Sequence, residues 1–122
     1  MFGKSGIQVV PAYWATLPGG QSVPFIVSLL FYDAQGRPRI PPAVERSIDR
    51  TVEIAGREVL GQAIIADDDD LSRAEHLLQR AAKAGAIALF RCQSPETAER
   101  LMQHLHATCS LRLVQKDVDS VT

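Results

Sequence analysis

The chain has 122 residues, which fits one domain with its own hydrophobic core and needs no disulfide or metal staples. Hydrophobic residues make up 46%, charged residues 22%, and the net charge is −1. That composition excludes a disordered chain, and it lacks the basic excess of a protein that grips a phosphate backbone by charge.

Residues Gly6 to Leu17, "GIQVVPAYWATL", are rich in β-branched and aromatic side chains and read as a strand. "LPGGQS" is turn material. Val23 to Asp33 is nearly continuous in apolar residues, the pattern of a strand covered on both faces. Pro11 and Pro24 each remove a ladder donor, so each belongs at a strand start, an edge or a bulge. Asp33 to Gly36, "DAQG", has Asp first and Gly last, as a turn requires. "RPRIPP" then runs extended.

Residues 42–62 carry two periods. Val44, Ile48, Val52, Ala55 and Val59 fall at helical spacing, while Arg50 to Leu60 also alternates like a hairpin around Ala55-Gly56. We expect a short helix from Pro42 to about Arg50, followed by a loosely turned hairpin. A strand follows in "EVLGQAIIA". Leu71, Ala74, Leu77, Leu78 and Ala81 form one helical face that ends at Gly85. Ala86 to Cys92 is a buried strand. Ser94 and Pro95 are an N-cap and a first-turn proline, and they open a helix with Ala98, Leu101, Met102 and Leu105 on its buried face. Ser110 to Gln115 closes as a strand, and residues 116–122 read as a frayed tail. The expected fold is a single α+β domain over residues 1–122. A mixed sheet, β-rich at its N-terminal part, continues as β-α-β-α-β, with two or three helices packed on it. Helices are expected near 70–84 and 95–107, covering one face of the sheet.

Four consecutive aspartates, Asp67 to Asp70, sit between a strand and a helix. Ligands of open α/β sheets bind at the carboxyl ends of strands, and Mg²⁺ takes carboxylate oxygens. Asp67 and Asp69 are therefore candidate metal ligands. The pair resembles the Asp-x-Asp of the haloacid dehalogenase-like phosphatases. That motif continues with Thr or Val two residues after its second aspartate, where this chain has Leu71. The acidic pair also resembles that of response-regulator receiver domains. Those place a phosphate-accepting aspartate at a later strand end, where this chain has Cys92 and Gln115. The chain is assigned to neither family. The competing account is a helix start: aspartates there favour the positive end of the helix dipole and cap free N–H groups.

Other chemistry is thin. "FGKSG" at Phe2 lacks the strand, first glycine and spacing of a phosphate-binding loop. His104, His106 and Cys109 follow no recognised zinc spacing. Cys92 and Cys109 belong at opposite ends of the sheet if their strands run the same way, so we expect both to be free thiols. Arg37, Arg39, Arg46 and Arg50 cluster in sequence but alternate with Asp33, Glu45 and Asp49. Nucleic-acid binding through them is the third choice. Tyr13 and Trp14 point to opposite faces of a strand, so one of them is a candidate interface residue. The longest apolar run is far short of a membrane span and the first residues show no signal-peptide pattern, so we expect a cytoplasmic protein. The expected function is a small non-catalytic interaction or regulatory module, compact and bacterial in style. It would need no cofactor and would bind a protein partner or itself as a homodimer through the N-terminal strands. The alternative is a Mg²⁺-dependent phosphate-handling enzyme or nucleotide-binding domain centred on Asp67–Asp70.

Overall fold

The structure is a computed structural model and describes residues 11–114. A five-stranded mixed sheet forms its centre. Its strands are β1 (Ala12–Thr16), β2 (Ser22–Leu29), β5 (Val59–Ile65), β6 (Ile87–Cys92) and β7 (Ser110–Leu113), in the spatial order β5-β6-β2-β1-β7. The strands β2, β5 and β6 are mutually parallel, and β1 runs antiparallel to both β2 and β7. The short strands β3 (Phe31–Tyr32) and β4 (Pro38–Arg39) make a separate hairpin. Three helices, α1 (Pro42–Ala55), α2 (Leu71–Ala84) and α3 (Pro95–Thr108), complete the architecture. No helix among the described residues is long and apolar enough to cross a membrane.

The α+β class and the β-α-β-α-β second half are as expected from the sequence. Two features differ. The chain from Pro42 runs as one helix to Ala55, and no hairpin forms around Ala55-Gly56. Gly56 stops the helix as a left-handed C-cap at φ 69°, its N–H donating to the Val52 carbonyl over 2.8 Å. The helical period wins because Ile48, Val52 and Ala55 pack against Ile26, Ile87 and Leu89 on the sheet. A hairpin would have scattered that apolar stripe. The second difference follows from the first. The helices are divided between both faces: α2 and α3 cover the main core, and α1 covers part of the other face.

Strand alternation explains this division. In β2, Val23, Phe25 and Val27 face α2 and α3, while Ile26 faces α1. In β6, Ala88, Phe90 and Cys92 face the first side, and Ile87 and Leu89 face the second. All six residues of β6 are buried, as a strand covered on both faces requires. Pro24 sits inside β2 without breaking a ladder. The Val27 N–H donates to the Pro11 carbonyl, so the odd-numbered amides of β2 face β1. The nitrogen of Pro24 therefore faces β6, whose pairing with β2 starts only at Phe25. The frayed tail at 116–122, the phosphate-loop-like "FGKSG" and Gly6–Val10 of the expected first strand lie outside the described residues.

Candidate functional site

The aspartate run folds onto itself. Asp67 is the N-cap of a single 3₁₀ turn, Asp68–Asp70, that leads into α2, and one Asp67 side-chain oxygen accepts the Asp69 N–H at 3.0 Å. Asp70 closes the box. Its Oδ2 accepts the N–H groups of Ala66 at 2.8 Å and Asp67 at 3.3 Å, and its Oδ1 pairs with Arg73 at 2.8 Å. Asp68 meets Arg100 at 3.5 Å. Among the described residues no group of three or more His, Cys, Asp or Glu side chains could hold a metal ion. Asp67 and Asp69 thus stand in the capping turn, one bonding the other's backbone.

This turn makes a specific prediction. The backbone N–H of Ala66 is the largest influence holding the Asp70 carboxyl below its usual value, with the Asp67 N–H and Arg73 adding to it. Asp70→Ala should cost about 1 kcal/mol at neutral pH, as losing a helix-start cap does. The sign with pH follows from the depressed value. The contribution is complete above the unfolded carboxylate value, about 3.9, and is lost as pH falls through the lower folded value. Melting curves of the two proteins between neutral and strongly acidic pH should converge at the acid end. A gap that stays constant would remove the ionised carboxylate from the account.

The histidines and cysteines do not converge. His104 on α3 bonds Glu75 on α2 and ties the two helices together. His106 is exposed and lines a different cleft, with Tyr13 and Met102. Cys92 ends β6 and Cys109 precedes β7, strands that point the same way, so the thiols lie at opposite ends of the sheet and both are free. Burial pushes the Cys92 thiol up to about 12. Cys109 borders a cleft of about 200 Å³ between α2, α3 and the β1–β2 turn. A thiol reagent should therefore modify Cys109 in the native protein and reach Cys92 only on unfolding. Two fast-reacting thiols would contradict the buried position of Cys92.

Tyr13 and Trp14 project to opposite faces, and both are half-buried. Tyr13 stacks on Phe25 with ring centroids 5.5 Å apart and packs on the main core. Trp14 lies on the α1 side, with the guanidinium of Arg57 5.1 Å and that of Arg112 5.6 Å from its ring centroid. Their strand offers no open edge over Ala12–Thr16: β1 is internal, paired with β2 on one side and β7 on the other. The four clustered arginines divide between two elements. Arg37 and Arg39 belong to the β3–β4 hairpin, where Arg37 pairs with Asp33 at 3.2 Å, and Arg46 and Arg50 are exposed on α1.

One edge of the sheet is β5. Among the described residues it borders only β6, and its seven residues, "VLGQAII", include no charge and no proline. The carbonyl of Ile65 accepts the Gln93 N–H, so the odd-numbered backbone groups after Gly61 face β6. Those of Gln62 and Ile64 consequently face outward. A bulge between Val59 and Gly61 leaves Leu60 outside the ladder. Leu60 is 38% and Ile64 37% exposed, large values for aliphatic side chains. Beside them lies a buried cation. Arg91, 4% exposed, donates to the Gln62 side-chain oxygen at 3.0 Å and to the Arg39 carbonyl, and burial pulls its pKa down. The sequence reading missed Leu60, Ile64 and Arg91. An uncharged strand with alternating exposure was a signal, but its place at the edge depends on strand order.

The chain was compared with protein-family models, curated proteins and solved structures, and none matches it.

Proposed function

We propose that the chain is a non-catalytic interaction module whose docking element is the edge strand β5. One observation carries this reading: a parallel edge strand, unpaired on its outer side among the described residues, that combines outward main-chain groups, exposed Leu60 and Ile64, and no charge along its length. Edge strands that must stay single usually carry lysine, proline or inward charges, because free N–H and C=O groups template pairing with another chain. On β5 only the bulge at Leu60 interrupts the template, and it leaves Gly61 to Ile65 regular. A partner strand added here would gain main-chain hydrogen bonds, with the exposed aliphatics supplying contact area. The other edge, β7, is shorter, at four residues, and carries Arg112 in the middle of its length. The test is amide hydrogen exchange in dilute solution. The Gln62 and Ile64 amides should exchange fast, while Ala63 and Ile65 are protected by β6. Protection of all four at every dilution would show that the edge is not available and would end this reading.

A further inference from the structure

We infer that the occupant of the β5 edge is a second copy of the chain, paired antiparallel about a two-fold axis at Gln62. This rests on β5 being the docking element and adds the partner and the register. A homodimer contact must be self-complementary. Antiparallel pairing about Gln62 sets Gln62 against Gln62 and Leu60 against Ile64, twice. The two exposed aliphatic residues then cover each other across the axis. The main-chain groups agree with that register: residues whose backbone faces outward become the hydrogen-bonded pairs, giving roughly two new bonds at Gln62 and up to about four where Ile64 meets the bulged Leu60. Shifting the axis by half a residue would oppose an outward group to an inward one. Shifting it by one residue would keep the main-chain match but set Gln62 against Ile64 or against Leu60, so the two aliphatic residues would no longer cover each other. No charge meets a like charge anywhere along the seven residues.

Charge on the neighbouring helix fits the same axis. Stable complexes usually bury about 1,200–2,000 Å², more than a single strand pair of this length supplies. The remainder comes from α2, which packs across β5 and β6 and runs antiparallel to β5. The two-fold therefore lays the two α2 helices antiparallel on one face of the joined sheet. The exposed acidic start of each, Asp67 to Asp69, comes to the same end as the basic finish of the other, with Arg80 and Lys83. The helix dipoles oppose as well.

Sedimentation of the full chain from micromolar to millimolar concentration tests the pairing, with three variants. The native chain should sediment as a dimer at the upper end, and added salt should weaken it. Ile64→Lys should raise the dissociation constant at least about a hundredfold, because a lysine would be buried unpaired at the contact. Its melting temperature as a dilute monomer should fall only slightly, since Ile64 is 37% exposed there although it stands opposite Arg91 in the β5–β6 ladder. Leu60→Lys gives a second variant should the first fail to fold. Gln62→Cys with Cys109→Ser should form an interchain disulfide on mild oxidation, since the axis sets the two Cα atoms within bridging distance. A dimer indifferent to both lysines and refractory to the Cys bridge would place the contact elsewhere and overturn the inference. A monomer at every concentration would overturn it too. In that case fast exchange at Gln62 and Ile64 would keep the docking reading for a foreign strand, and protection there would end both.

Discussion

Phe90→Ala should lower the unfolding free energy by about 3–5 kcal/mol, as removal of a buried phenylalanine does. Phe90 is fully buried in β6, a strand flanked by β2 and β5. Its ring meets Phe25 edge to face at 5.7 Å, and Phe25 in turn stacks on Tyr13. Truncation removes the apolar transfer gain and leaves a cavity between the sheet and its two covering helices, and the aromatic pair adds about 0.5–1.5 kcal/mol more. Domains of this size hold roughly 5–15 kcal/mol in total, so the variant should lie near the threshold of folding. Urea titration measures this as a fall in midpoint at constant slope. Leu113→Ala is the control: Leu113 is largely exposed and should shift stability by no more than about 0.5 kcal/mol. Equal losses at the two positions would mean that the core is not where the structure puts it.

Arg91 should respond in two opposite ways. A buried guanidinium is costly unless its donors are met and its charge is compensated. Here the acceptors are neutral, the Gln62 amide oxygen and the Arg39 carbonyl, and among the described residues no carboxylate forms a salt bridge with it. Arg91→Ala should cost about 2–4 kcal/mol, because it removes packing and the link from β6 to the β3–β4 hairpin. Gln62→Glu should do the reverse and add about 1–2 kcal/mol at neutral pH, replacing a neutral acceptor by an ionised one beside a desolvated cation. The introduced carboxyl would be depressed in the folded state, so its gain exists above the unfolded glutamate value, about 4.3, and disappears as pH falls through the folded value. Thermal melts of dilute protein across that range measure both signs. The same substitution sets two carboxylates against each other at the proposed two-fold axis, so it should strengthen the monomer and weaken the pair. A variant that is destabilised at neutral pH would show that Gln62 is not where the charge is relieved.

Much of the framework was legible from periodicity and end signals. Gly85, Ser94 and Pro95 mark the ends of α2 and α3 because their backbone preferences act locally, whatever surrounds them. Residues 42–62 show where local signals stop. Arg50 to Leu60 fits a strand pattern and a helix pattern equally, and only the sheet waiting under Ile48, Val52 and Ala55 decides between them. The aspartates were legible as a capping device, although the cap serves a 3₁₀ turn one step before α2. The proposed docking strand was not legible. "VLGQAII" reads the same whether it is central or terminal in a sheet, and strand order is set by long-range packing. Arg91 was hidden for a related reason: in "IALFRC" it looks like the polar end of a strand, and only the hairpin folded back over it makes it a buried charge.

The placement of β1 carries a kinetic consequence. β1 pairs with β2 next to it in the chain but also with β7, whose Leu113 lies opposite Tyr13, about a hundred residues away, so closing that ladder carries a high contact order. The β1–β2 hairpin and the β5-α2-β6 unit can each form from near neighbours, whereas β7 must wait for β1 to be in place. Until then β1 offers the same unprotected margin that β5 keeps in the finished structure. Refolding should therefore be slow for a chain of this length, and its most aggregation-prone intermediate should be the one with β7 undocked.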